Sequence, residues 1–181
     1  MDTDLIVRAQ HGDKEAYGLV AAEIADRFLA VARRILRDID LAEDATQQAL
    51  LAIWQDLPGL RDPGRFEAWS YRLLVRACYA EGRRQRLWAP NLRPLPTAGF
   101  ADDDLGSIVD RDELDRAFRR LSLDHRTVIV LHHYLDLPLD RVAEIVGIRT
   151  GTAHSRLHYA MRALRVALEA DSRPKVREVT L

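Results

Sequence analysis

Between Gly147 and Arg165 the chain carries side chains suited to reading a polyanion. Arg149, Thr150, Thr152, His154, Ser155, Arg156, Tyr159 and Arg162 fall on the outward side of a segment whose other side is apolar. Guanidinium, imidazole and hydroxyl groups near a helix start are what a DNA major groove accepts, as donors to guanine edges and phosphates. The unpaired N–H groups of a helix N-terminus favour a phosphate as well. A second cluster lies upstream, where Arg61, Arg65, Arg72, Arg76, Arg83 and Arg84 are interleaved with Phe66, Trp69, Tyr71 and Tyr79. Rings among guanidiniums suit single-stranded DNA, because bases stack on the rings while Arg follows the phosphates. Each such stack contributes about 1–3 kcal/mol. Trp69, Leu73 and Ala77 also have helical spacing, so Trp69 fits a core position as well as a platform. Tyr71 and Arg72, one position round, are expected on the surface.

A third set has a different character. Asp44, Gln47 and Gln48 share a helix with Leu51 and Trp54. Acid and amide groups near a helix start can serve only as caps. Large apolar residues on more than one stripe of a helix in so small a domain instead suggest a docking surface for a protein.

Enzyme chemistry finds little support. His132 and His133 are adjacent, about 100° apart on a helix, and cannot chelate as an i, i+4 pair would. His154 and His158 have that spacing, but Ser155 stands where a metalloprotease needs Glu. Cys78 is the only cysteine, which rules out an internal disulfide or a thiolate cluster and fits a reducing cytoplasm. In its apolar context it reads as inert core. No catalytic residue, metal ligand or cofactor is therefore expected.

Helices must position these groups. Tyr17, Val20, Ile24, Phe28, Val31 and Ile35 mark one face of a first amphipathic helix. A second fits Leu41 to Leu57, ended by Pro58-Gly59, and a third runs from about Arg65 to Arg86. Ala89 to Gly106 holds Pro90, Pro94, Pro96 and Gly99 with an acidic triplet, and reads as a linker. Helices resume near Asp112, with stripes Leu114, Phe118, Leu121 and Val128, Leu131, Leu135. A short helix with Val142, Ala143 and Val146 inward then meets Gly147, which permits a left-handed turn, and Ile148 plugs the corner. A further helix starts around Thr150-Gly151-Thr152, with an inward stripe of Ala153, Leu157, Met161 (or Ala160), Leu164 and Leu168. Small Ala143 lets the two helices cross closely, the pattern of a helix-turn-helix. No alternating β segment occurs, so the fold class is all-α: two small helical domains joined by a flexible linker, the second a helix-turn-helix.

Charge is distributed in blocks. The 181 residues carry 27 Lys and Arg against 28 Asp and Glu, a net charge of −1. Residues 1–60 hold six basic and eleven acidic residues, whereas 61–93 hold eight arginines against three acids. Residues 94–115 hold one basic residue against seven acids, and 149–181 seven basic against three acidic. Two cationic segments thus sit in an otherwise acidic chain, a pattern of separate polyanion-binding surfaces. Met1 leads directly into Asp2 and Asp4, so no secretory leader is expected. No apolar run approaches the ~20 residues of a membrane span.

In this order, the segments resemble the sigma-70 family of bacterial RNA polymerase sigma factors, specifically the small extracytoplasmic-function (ECF) group. Ala42-Glu-Asp-Ala-Thr-Gln-Gln-Ala-Leu-Leu-Ala-Ile-Trp looks like region 2.2, which docks on the polymerase clamp. Arg65-Phe-Glu-Ala-Trp-Ser-Tyr-Arg-Leu-Leu-Val-Arg through Gly82-Arg-Arg looks like regions 2.3 and 2.4, and Gly147-Ile-Arg-Thr-Gly-Thr-Ala-His-Ser-Arg-Leu-His like region 4.2. The resemblance implies region 2 over residues 1–88, a flexible acidic linker over 89–111, region 4 over 112–171 and a short tail over 172–181. Region 2 would melt and read the minus-ten element, and region 4 would read the minus-thirty-five element.

By residue, the resemblance assigns Asp44, Gln47, Gln48, Leu51 and Trp54 to polymerase binding, with Gln48 standing where Glu is usual. It assigns Trp69, Tyr71 and Arg72 to the melting segment, while Arg76 replaces a common Asn. Ser155 and Arg156 match the family motif. His154 replaces Lys or Arg, Tyr159 replaces Arg, and Arg149-Thr150 replaces Pro-Val. The implied partners are core RNA polymerase and promoter DNA, as duplex and as melted strand, in the cytoplasm. An anti-sigma factor is a further partner that the resemblance admits. The free chain is expected to be a monomer that binds promoter duplex poorly, with the acidic 102–115 block as a candidate mask over a cationic face. The rival reading is a stand-alone helix-turn-helix regulator with a helical dimerisation or sensor domain, which leaves the Asp44–Trp54 surface and the Trp-x-Tyr-Arg segment unexplained.

Overall fold

A computed structural model of the chain describes residues 2–88 and 108–171. The proline-rich linker, its acidic triplet and the tail lie outside those residues. The first half has four helices: α1 (Thr3–Gln10), α2 (Lys14–Leu36), α3 (Ile39–Asp56) and α4 (Phe66–Trp88). Aspartates start three of them. Asp2 accepts from the Asp4 N–H at 3.0 Å, Asp13 from Ala16 at 3.0 Å and Asp38 from Leu41 at 3.1 Å. Each satisfies an orphan donor and places negative charge at the positive end of the helix. The α2 stripe of Val20, Ile24, Phe28, Val31 and Ile35 is buried, as its spacing predicts. Opposite it, α3 offers Ala42, Ala45, Ala49 and Ile53, all at most 1% exposed, so its backbone lies close to α2 and α4.

The second half holds α5 (Ile108–Arg120), α6 (Leu123–Ile129), α7 (Leu139–Val146) and α8 (Thr150–Asp171). Helix α5 thus starts ahead of the Asp112 suggested by the sequence pattern. Helix α6 continues into a wider π turn over Val130–Tyr134, closed by the Leu135 N–H on the Val130 carbonyl at 3.1 Å. Between α7 and α8, Gly147 takes the left-handed conformation at φ 76°. Its N–H and that of Ile148 both bond the Ala143 carbonyl, at 2.9 and 3.0 Å. Ala143 and Ala153 are buried at the crossing, which completes a helix-turn-helix. Ile145 is buried on α7 while Val146 is half-exposed, and on α8 Ala160 takes the inward place, leaving Met161 40% exposed.

The halves do not stay apart. Apolar side chains from both form one continuous buried cluster, and α4 packs against α7 and α6. Trp69, Arg72 and Tyr79 lie along one face of α4 by helical spacing, and Gly82 continues it. A Cβ on Gly82 would stand 2.9 Å from Leu123 Cδ2, so glycine gives that leucine side chain its present seat against α4. At the end of α2, Arg37 adopts a left-handed conformation at φ 61°, and its buried guanidinium pairs with Asp115 of α5.

Candidate nucleic-acid and partner interface

On α8 the outward residues stand clear of the core. Arg149, Thr150, Thr152, His154, Ser155, Tyr159 and Arg162 are all exposed. The Ser155 hydroxyl donates back to the Gly151 carbonyl at 3.0 Å, leaving its lone pairs outward. Arg156 is the exception. It is only 22% exposed and reaches Asp124 of α6 at 3.5 Å. The same carboxylate accepts from the Tyr79 hydroxyl of α4 at 2.6 Å. Burial, and then that bond, push the Tyr79 phenol up to about 12.

Upstream, two short turns over Leu57–Gly59 and Pro63–Arg65 carry the chain into α4, the second capped by Asp62 on the Gly64 N–H at 2.9 Å. Beside them opens a cavity of about 230 Å³, lined by Leu60, Arg61, Arg65, Trp69, Arg72 and, from α7, Glu144. Arg65 pairs with Glu144, and Arg141 bonds the other Glu144 oxygen at 2.9 Å. Arg141 first and Arg65 after it hold the Glu144 carboxyl below its usual range. Arg61, Arg72, Arg76 and Arg83 are exposed, and Trp69 is half-buried with its ring 6.0 Å from that of Phe66.

Two sequence expectations are corrected here. Tyr71 is only 2% exposed, with its ring 5.3 Å from Phe28. Phe66 is also 2% exposed, so neither ring is available to a base. The cause is that α4 is covered on two sides, so Tyr71, Leu74 and Cys78 face core while the Trp69 side also meets protein. Cys78 is fully buried and its thiol is pushed up to about 12.

The α3 surface divides in the same way. Gln47 is exposed and Leu51 is 57% exposed. Trp54 is half-buried against Tyr17, ring centroids 4.8 Å apart, and the Tyr17 hydroxyl donates to the Leu50 carbonyl. Lys14, Tyr17, Ala21, Leu50, Leu51 and Trp54 line an apolar groove of about 490 Å³ between α2 and α3. Gln48 and Asp44 turn toward α4 instead. Gln48 Nε2 donates to the buried Glu81 carboxylate at 2.5 Å, and Asp44 lies 3.8 Å from Arg84, which also approaches Glu81 at 3.3 Å. An amide at position 48 therefore serves where a second carboxylate would repel Glu81. The sequence reading of the site does not contain Asp124 or Glu144, whose partners lie far along the chain.

Residues 21–87 match the family model of Sigma-70 region 2, and residues 111–164 that of Sigma-70 region 4. The ECF RNA polymerase sigma factor SigL of Mycobacterium tuberculosis is 32% identical over 167 residues, covering 84% of this chain and 94% of that protein. The RNA polymerase sigma-H factor of Pseudomonas aeruginosa is 26% identical over 186 residues, covering 93% and 94%. Among solved structures, CnrH in complex with the cytosolic domain of CnrY superposes with a TM-score of 0.70 at 22% identity, covering 94% of this chain and 99% of that one. The Bartonella quintana sigma factor RpoE, in complex with the anti-sigma factor NepR, also gives 0.70 at 22% identity, covering 86% and 98%. A four-helix half with a cation-lined α4, followed by a helix-turn-helix half, is the all-helical architecture of sigma-70 region 2 and region 4. Within that class the chain belongs to the ECF RNA polymerase sigma factors. Among the described residues, no helix is long and apolar enough to cross a membrane.

Proposed function

We propose that this protein is a dissociable specificity subunit of RNA polymerase that directs initiation at a particular set of promoters. Residues 1–88 act as region 2 and 112–171 as region 4. The α2–α3 groove with Gln47, Leu51 and Trp54 docks on core polymerase, and Asp44 joins it when Arg84 is drawn to DNA. Arg61, Arg65, Trp69, Arg72, Arg76, Arg83 and Arg84 hold the strand opened at the minus-ten element. Unstacking a base costs a few kcal/mol, which ring stacking and Arg–phosphate contacts offset. Arg149, Thr150, Thr152, His154, Ser155, Arg156, Tyr159 and Arg162 read the minus-thirty-five element in the major groove.

The observation that supports this reading most directly is the division of α8. Its alanine side is buried, while its hydroxyl, imidazole and guanidinium side is open to a groove. The protein works in the cytoplasm as a monomer until it meets polymerase, and an anti-sigma factor is a further partner. Run-off transcription with core polymerase on genomic fragments tests the reading. New, specific start sites are expected when the protein is added, and no gain in specific initiation would overturn it.

A further inference from the structure

The turn that walls the Arg65–Trp69 cavity hangs between two distant anchors. Leu57 is fully buried and Phe66 is 2% exposed. None of the eight residues between them is buried, and Pro58, Gly59, Arg61, Asp62, Gly64 and Arg65 are exposed. Leu60, Arg61 and Asp62 form the turn's side of the cavity, while Trp69 and Arg72 of α4 form the other. The distance of the turn from α4 therefore sets the width of the cavity.

A side chain from another helix reaches that turn. Gln10, the last residue of α1, is half-buried, and its Nε2 donates to the Leu60 carbonyl at 2.7 Å and to the Leu57 carbonyl at 3.2 Å. An amide nitrogen carries two hydrogens, and here each has an acceptor. The flipped amide would set its oxygen against two carbonyl oxygens, so this orientation is the one that bonds. The Leu57 carbonyl also takes the Leu60 N–H at 3.0 Å, so backbone and side chain close the same turn. Helix α1 is a firm mount. Its Ile6 and Ala9 are each 2% exposed within the shared core, and Arg8 pairs with Asp13, ahead of α2, at 2.6 Å. A binding loop held from a rigid element is preorganised.

We propose that Gln10 is a positioning residue for strand recognition, its amide fixing the Leu57–Leu60 turn so that the cavity beside Trp69 is ready for a base of the opened strand. This rests on the assignment of that cavity to DNA. Gln10 acts through the Leu60 carbonyl and touches no base itself. Without its two bonds the exposed turn samples other positions. A base then binds only the fraction with the wall in place, and apparent affinity falls by that fraction. The phosphate contacts of Arg72, Arg76 and Arg83 start from α4 and do not depend on the turn, so the loss falls on the base.

The test uses holoenzyme, the full chain with core polymerase, on two forked promoter DNAs at fixed salt. One keeps its opened minus-ten bases and the other has abasic sites at those positions. Gln10→Met keeps the length of the side chain and removes both donors. Arg8→Ala breaks a different polar tie of α1 without touching the turn. Anisotropy reads the affinity for each fork, and urea denaturation confirms that each variant is folded. Wild type should prefer the base-bearing fork. Gln10→Met should bind that fork about three- to tenfold more weakly, the strength of one lost hydrogen bond, and bind the abasic fork as wild type does. Arg8→Ala should keep the wild-type preference. A purely structural role moves both forks together, so equal losses on the two would overturn the proposal, as would a wild-type preference in Gln10→Met. An Arg8→Ala protein that loses preference as Gln10→Met does would trace the effect to α1 as a whole and also overturn it. A wild-type complex indifferent to abasic sites would remove the cavity from base recognition and the proposal with it. Run-off initiation judges the sigma-factor reading separately, and that reading survives a Gln10→Met protein with wild-type preference.

Discussion

Tyr71 and Trp69 sit two positions apart on α4, and their truncation should separate folding from strand binding. Tyr71 is 2% exposed and packs on Phe28 at 5.3 Å, so Tyr71→Ala removes a buried ring from the centre of the first half. Large aromatic truncations of this kind cost about 3–5 kcal/mol, a large share of a total that is typically about 5–15 kcal/mol. In a domain of this size that is a fall in Tm of roughly 6–20 °C. Trp69 is half-buried and lines the Arg65 cavity. Trp69→Ala should cost less stability, about 0.5–3 kcal/mol. It should, however, remove a stacking surface of about 1–3 kcal/mol, roughly five- to 150-fold in affinity for an opened strand. Urea denaturation followed by circular dichroism gives the first quantity. Anisotropy of holoenzyme on forked promoter DNA at fixed salt gives the second. A Tyr71→Ala protein with wild-type urea midpoint but lost strand binding would refute the assignment of that ring to the core.

Asp115→Ala removes one carboxylate shared by the buried Arg37 guanidinium, 8% exposed, and by Arg119. A loss of about 1–3 kcal/mol is expected in urea denaturation. Gln48→Glu would set a second carboxylate against Glu81, at the 2.5 Å contact now made by the amide. It should lower Tm, because two like charges would then face each other with Glu81 buried; an unchanged Tm would remove that role from the amide. The Cys78 thiol, raised from 9.0 to about 12, favours the fold fully below pH 9, and that contribution drains away as pH rises toward 12. Cys78→Ala should flatten this alkaline loss, and a disulfide reagent should label native protein only as fast as it unfolds. Arg156→Ala should weaken holoenzyme binding to promoter DNA and reduce the salt slope by about 1; an unchanged slope would remove Arg156 from the DNA contact.

The long helices were legible because their burial has one period. The α2 stripe from Val20 to Ile35 and the Ala143–Gly147–Ile148 corner follow from local spacing and from a glycine at φ 76°. Helix α1 was missed, since its eight residues bury only Ile6 and Ala9 and give no run of repeats. On α4 the period failed for a physical reason. A helix covered on two sides keeps only a narrow solvent stripe, here Arg72, Arg76 and Arg83, too narrow to orient the rest of the pattern, so Tyr71 reads as surface and Trp69 as ambiguous. On α8, Ala160 and Met161 are adjacent, and only packing decides which one turns inward. Glu144 and Asp124 were invisible because their partners lie 79 and 45 residues away in the chain. Charge counting found the cationic blocks, but it could not show that their counter-ions include carboxylates of the helix-turn-helix.

The seat of Leu123 on Gly82 also sets an order in time. The α4 face is complete once Trp88 has been made, yet the helices that cover it, α6 and α7, end only at Val146. At about 5–20 residues per second of synthesis, the intervening 58 residues take roughly 3–12 s. For those seconds each nascent chain displays Arg65, Trp69 and Tyr79 bare at the ribosome. Each copy therefore begins with α4 uncovered, and the arrival of α6 and α7 decides whether it is covered by its own chain or by whatever reached it first.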